Sequence, residues 1–165
     1  MTSNIANPNF LSQFGFKSLI KRIPHLEYFS QSIEIPGLQQ NVVFQSTPFT
    51  PIPYSSTVQY SPLIIRFKVD ENLENWKAIY DWMRKSGNAK DYTGYKELSE
   101  ADSGFGLTSD ITVSILKSSM IGNKTFTFKD AFPVQLGDLS FNSIGADVNY
   151  IESSVSFQYT YYDIG

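Results

Sequence analysis

The sequence has no cysteine and a single histidine in 165 residues. The first absence excludes disulfides and thiolate metal sites, and it leaves the redox compartment unspecified. The second leaves His25, beside Pro24 in an expected turn, without the company that a catalytic triad or a metal centre requires; it is read as a turn histidine, and no cofactor is expected. Long apolar runs are also missing, since none approaches the roughly 18 residues of a membrane span. Met1 to Phe10 shows no basic region followed by an apolar stretch, so no secretory signal is expected there and synthesis in a cytoplasm is. Cations are scarce where they would matter for nucleic acid. From Pro133 onward there is no Lys or Arg, only the acids Asp138, Asp147, Glu152 and Asp163, whereas residues 1 to 70 carry five Lys/Arg against three Asp/Glu. A dedicated nucleic-acid binder needs clustered cations to displace phosphate counterions, and the acidic last third argues against one.

What is present in excess is aromatic. Thirteen Phe and ten Tyr stand against three Met, and flat rings pack well on a pleated, half-buried surface, so a mainly β fold is expected. The length suits one domain over residues 1–165, large enough to bury a core without staples. Residues 1–12 read as an N-terminal arm that is ordered only when held. Gln13 to Arg22 and Glu27 to Ile35 suit strands, broken at Pro24 and at Pro36-Gly37. A short run follows at Asn41 to Gln45. Residues 46–61 combine Pro48, Pro51 and Pro53 with Phe49, Ile52, Tyr54 and Tyr60; proline removes a ladder donor, so this segment is expected to be a projecting hairpin, not a central strand. Its apolar side chains, Phe49, Ile52, Tyr54 and Tyr60, then need a partner and are the candidates for a contact between subunits.

Leu63, Ile65, Phe67 and Val69 alternate with Ile64, Arg66 and Lys68, a strand with one buried face. The period then changes. Leu73, Trp76, Ile79, Tyr80 and Met83 fall at helical spacing, with Asp70 or Asn72 as N-cap and Gly87 as stop, so one substantial helix is expected at about Asn72 to Ser86. Residues 87–109 are polar and glycine-containing, too long for a simple turn, and read as a surface excursion. Strands resume at Ile111 to Leu116, Lys124 to Phe132, Val134 to Phe141 and Tyr150 to Tyr162, with a break at Pro133. In the last of these, Val155, Phe157, Tyr159 and Tyr161 share one face and Ser154, Ser156, Gln158 and Thr160 the other. Thr112 and Ser114 oppose Val113 and Ile115 in the same manner. Such small, uncharged polar faces suit a wall that grips nothing.

Chemistry is hard to find. Glu97, Glu100, Asp102 and Asp110 match no calcium-loop spacing and are read as charges that keep an excursion solvated; a hydrolase using the first three would rest on proximity alone. Gly104-Phe105-Gly106 is too short to cradle a phosphate. The triplet Asn123-Lys124-Thr125 is common by chance. Trp76 lies in the apolar stripe of the helix and Trp82 off it, where it would cover a neighbouring strand or another subunit; both are read as packing groups in preference to the sugar platforms of a carbohydrate-binding β-sandwich.

Several short stretches carry a resemblance when taken in order. They are Asn9-Phe10, Ile23-Pro24-His25-Leu26-Glu27-Tyr28-Phe29, Ile33-Glu34-Ile35-Pro36-Gly37-Leu38 and Thr47-Pro48-Phe49-Thr50. Leu63 to Leu73, Trp82-Met83-Arg84, Phe128 to Val134 and Phe157 to Tyr162 complete the series. In their order and spacing the chain resembles the tail-tube protein family of contractile-tailed bacteriophages, itself similar to the tube protein of type VI secretion. The resemblance implies a β-sandwich or partial barrel of two packed antiparallel sheets with one flanking helix and a projecting hairpin, and no catalytic residues. It further implies a virion protein of the phage tail whose copies form stacked, hexameric rings. The lumen of those rings conducts DNA and ejected proteins without specific binding, and Ser154, Ser156, Gln158 and Thr160 become its candidate wall. Tail sheath, baseplate tube and tape-measure proteins are the implied partners, with no membrane involved. The alternative within the same fold is a baseplate tube-initiator.

Overall fold

The computed structural model describes residues 11, 15–24, 26–87, 93–94, 96–97, 106–117, 120–142 and 150–165. Nine strands and two helices follow one another as β1 (Phe16–Ile20), α1 (Leu26–Phe29), β2 (Ser30–Glu34), β3 (Leu38–Gln45), β4 (Ile52–Tyr60), β5 (Leu63–Lys68), α2 (Glu74–Gly87), β6 (Ser109–Leu116), β7 (Gly122–Leu136), β8 (Glu152–Gln158) and β9 (Tyr161–Ile164). All pairings are antiparallel. Seven strands form one sheet in the order β1-β6-β7-β8-β5-β2, with β9 on the free side of β7, and β3 and β4 form a separate two-stranded sheet. The expected mainly β fold with antiparallel sheets and one substantial helix is therefore observed. His25, the larger part of the 1–12 arm and most of the 87–109 excursion lie outside the described residues; within the excursion, residues 93–94 and 96–97 are helical and Glu97 pairs with Lys85 at 3.0 Å.

Strand β7 belongs to both halves of the large sheet. Its first part pairs with β6 and β9, its last part with β8. Between the two, Ser109 faces Ala131 while Ile111 faces Phe128, so Lys129 and Asp130 together oppose Asp110. An extra residue of this kind bends and twists a strand. Asp130 takes φ of 54°, a left-handed conformation that Asp tolerates better than most residues. The Asp110 carboxylate fastens the bulge, accepting from the Lys129 ammonium at 2.8 Å and from the Asp130 amide, with Lys21 at 3.6 Å. The hydrogen bond from Lys129, opposed in part by desolvation, holds the Asp110 carboxyl below its ordinary value. Pro133, expected to break the strand, instead sits buried within β7 opposite Phe157. That part of β7 is an edge, where a missing amide donor costs little. The expected strand from Val134 to Phe141 accordingly stops at Leu136.

The core lies between the two halves of the folded sheet. From one side come Ile20, Ile111, Val113 and Phe128, from the other Leu63, Ile65, Phe67, Val155 and Phe157, all essentially inaccessible to solvent. These alternate along their strands with half-buried or exposed neighbours, as period-2 burial requires. Helix α2 closes the core with Ile79 and Trp82. Both tryptophans pack: Trp82 is buried and covers β8 at Phe157, its Nε1–H donating to Leu107 O at 2.9 Å, whereas Trp76 is half-buried at the margin of the core and stacks on the exposed Tyr80. Trp76 Nε1–H reaches Gly137 O at 3.2 Å. Gly137 is there because β8 passes so close that a Cβ would meet the Ser154 backbone at 3.0 Å. Neither expected N-cap is used. Leu73 precedes the first helical residue with φ of 59°, and the buried Asn75 carboxamide locks the entry, accepting from the Asp70 and Trp76 amides and donating to Lys68 O. Likewise Pro24 opens the short helix α1 where an extended run was expected, since a ring without an N–H fits a first helical turn.

Two outcomes follow from this packing. Phe157→Ala should cost about 3–5 kcal/mol in urea denaturation, the usual cost of emptying a fully enclosed ring site. Asp110→Asn should lower the urea midpoint by a constant amount at neutral pH. Because the folded carboxyl is held below its ordinary 3.8, that gap persists above this value and closes as pH falls through the depressed one.

Candidate assembly interface

The β3–β4 ribbon hydrogen-bonds to no other strand. Its tip is built by Thr47, whose hydroxyl accepts from the Thr50 amide at 3.1 Å and donates to Thr50 O at 2.6 Å. Pairs Leu38↔Tyr60, Gln40↔Val58, Val42↔Ser55 and Phe44↔Pro53 share one face, because directly opposed residues in an antiparallel pair point the same way. That face is an apolar stripe of Leu38, Val42, Phe44, Pro53, Val58 and Tyr60. The other face carries Gln39, Gln59 and Asn41 near the body and turns apolar only toward the tip, with Val43, Tyr54 and Ile52. An extra residue in β4 near Ser56–Thr57 interrupts the register, bridged by Gln40 Nε2–H to Ser56 O and Asn41 Nδ2–H to Thr57 Oγ1. Phe44 is 65% exposed and Phe49, on the tip, 96%.

The base of the ribbon is held differently. Tyr60, at the end of β4, packs its ring edge-on against Tyr159 and Tyr162, both at 5.8 Å. Tyr159 O–H donates to Ser61 O at 2.9 Å, on the outgoing leg, and Tyr162 O–H donates to Pro36 O at 3.3 Å, on the incoming one. These two tyrosines rest in turn on Phe128, at 4.9 and 5.3 Å. Burial and the neighbouring phenols push the Tyr159 hydroxyl up to about 12, so it remains a donor. Both rings point inward because the chain turns a corner between β8 and β9, where the Thr160 amide donates to Lys129 O at the bulge.

The polar faces also differ in detail from simple alternation. Ser154, Ser156 and Gln158 lie half-buried on the outer face of β8, but Thr160 is at the corner, outside the strand. Their neighbours across the ladder are not all small and polar: Ser154 stands beside Arg66, which pairs with Glu34 at 3.1 Å, and Ser156 beside Ile64. On the outer face of the other half Thr112 opposes Thr127 and Ser114 opposes Thr125, the last two hydroxyls 3.4 Å apart, with Lys17 beside Ser114 and Asp163 beside Thr127. Among the described residues no group of three acids or histidines is placed to hold a metal.

A family model described as phage tail tube protein matches residues 2–165. The chain belongs to the phage tail tube protein family. The tail tube terminator protein of Enterobacteria phage T4 is 35% identical over 88 residues, covering 47% of this chain and 49% of that protein; the chain thus aligns with about half the length of this curated relative. In fold, it is similar to a chain of the cryo-EM structure of the anti-feeding prophage cap, the tube terminating cap, with TM-score 0.68 and 13% identity, covering 99% of this chain and 95% of that one. A chain of the sheath-tube complex of the extracellular contractile injection system PVC, in its extended state, gives TM-score 0.66 at 16% identity, with 100% and 97% covered.

For a tail tube protein the ribbon is the natural place to look for contacts, and its residues divide unevenly between sequence reasoning and structure. Phe49, Ile52 and Tyr54 are exposed on it. Tyr60 is not available, being packed on its own chain's tyrosines. Leu38, Val42, Phe44 and Val58 were missed, although the alternation of Leu38, Gln40, Val42 and Phe44 marks one apolar strand face once the strand is begun at Leu38 and not at Asn41.

Proposed function

We propose that this chain is a structural subunit of a contractile phage tail that builds a tube from copies of itself: rings, hexameric as the resemblance implies, stacked around a lumen that conducts DNA and ejected proteins. Its place is the virion, beside sheath, baseplate tube and tape-measure proteins, and it catalyses nothing. One observation carries the reading. The ribbon exposes Val42, Val43, Phe44, Ile52, Tyr54 and Val58 on a two-stranded sheet, and a lone two-stranded ribbon with a wet apolar face is marginal in water. Docking against a sister copy covers that face. Edge strands β1, β2 and β9 would gain partners in the same step, as closure across subunits removes unpaired edges.

An end-of-tube role is a second reading, favoured by the T4 terminator relative. It shares the ribbon and the ring but not the unlimited stacking, so the two readings diverge in what forms from pure protein.

Negative-stain microscopy of the purified chain should show rings, continuing into tubes for a tube subunit and stopping at single rings for a terminator; a monomer at high concentration would contradict both. Phe44→Asp should abolish assembly yet leave the urea midpoint of the isolated chain nearly unchanged, since the charge is solvated until a partner covers it. The lumen wall can be located by labelling, because the chain has no cysteine. Ser156→Cys and Thr112→Cys should both react with a polymer-bearing maleimide as monomers. In assembled rings the one facing the lumen should lose that reactivity while still taking a small maleimide.

A further inference from the structure

We propose that Tyr159 and Tyr162 are positioning residues that set the angle of the ribbon, gripping its two legs at two separate points. The legs are short, with Ile35 and Tyr60 packed on the core at their ends. Pro36 leads into β3 and Ser61 leads out of β4, and each presents its carbonyl to a different tyrosine: Pro36 O to Tyr162 O–H at 3.3 Å and Ser61 O to Tyr159 O–H at 2.9 Å. One such bond would leave the ribbon free to swing about it. Two, on opposite legs, fix a direction.

The grip is rigid because of what stands behind it. Tyr159 and Tyr162 contact each other edge-on at 6.1 Å and both lean on Phe128, which is fully buried. Tyr60 fills the space between them and the ribbon. In a straight strand residues 159 and 162 would face opposite sides; the corner at Thr160, stitched to the β7 bulge, brings both hydroxyls to the same side. The bulge, the corner and the ribbon angle are thus one mechanical chain. A ribbon held at one angle meets a sister copy without the ordering cost that a freely swinging one would carry.

The angle can be read on the isolated chain, independently of whether ribbons dock. With nitroxides on Ser46→Cys, near the ribbon tip, and Lys77→Cys, on the exposed face of α2, in the non-assembling Phe44→Asp background, double electron–electron resonance gives the distance distribution between tip and body. Replacing both hydroxyls, Tyr159→Phe with Tyr162→Phe, keeps the rings and should broaden that distribution about twofold. Tyr162→Phe alone should broaden it in part and serves if the double variant does not fold. Tyr161→Phe, on the outer side of β9, should leave it unchanged. An unaltered width in both hinge variants, or equal broadening by Tyr161→Phe, would overturn the assignment. A second arm rests on the proposed assembly: with Phe44 restored and the label sites native, the concentration at which rings form should rise about fivefold for each lost hydrogen bond. Rings at an unchanged concentration would mean that the grip has no part in assembly. Absence of rings from the native chain would instead remove the tube reading and leave the distance measurement standing.

Discussion

The shared core depends on a bend in β7, where the strand passes from one half of the sheet to the other. The bulge at Lys129 and Asp130 lets β7 leave one half of the sheet and enter the other, and the two halves can then face each other over a shared core. Without it the sheet would run on flat, and Phe128, Phe67 and Phe157 would have nothing to meet. Asp110 holds the bulge by its carboxylate, and the corner after β8 is tied to the same place through Lys129 O. The bulge, the turn into β9 and the anchorage of the ribbon are thus connected through Asp110 and Lys129.

Inside and outside follow different rules in this chain. The enclosed aromatics are shared out between the two halves of the sheet and the helix, so they are satisfied within one copy. The ribbon is the exception, carrying its apolar groups away from that core on a pair of strands that has no third strand to lean on. The chain belongs to the phage tail tube protein family, and the proposed docking of the ribbon on a sister copy would give this division its sense. The outer faces of both halves mix small hydroxyl residues with paired charges, Lys17 with Glu27 on one and Arg66 with Glu34 on the other.

Much of the fold was legible from residue order. Period-2 alternation in Leu63 to Lys68 and in Ser153 to Gln158 located two central strands and their buried faces, and the change to helical spacing located α2 within two residues at its start. The prolines pointed to a hairpin over residues 46–61, but the ribbon runs from Leu38 to Tyr60 and takes Pro53 into its ladder opposite Phe44, so only its tip and outgoing strand fell within that range. What was not legible shares one physical cause: local irregularity alters which way a side chain points without altering composition. The corner at Thr160 turned Tyr162 inward in place of Tyr161. The left-handed Leu73 and the buried Asn75 set the entry to the helix, and Trp82 is buried more deeply than Trp76. Pro133, taken as a break, proved harmless because it fell on an edge. Of the four side chains singled out on the ribbon, Tyr60 is half-buried against its own chain while Phe49, Ile52 and Tyr54 are exposed.

The two legs of the ribbon also connect distant parts of the chain. The donors that reach Ser61 and Pro36 lie 98 and 126 residues further along. A polypeptide emerging from the ribosome therefore exposes the ribbon long before it makes the tyrosines that hold it. Until translation reaches β8 and β9, the ribbon lacks both of the hydroxyls that anchor its legs.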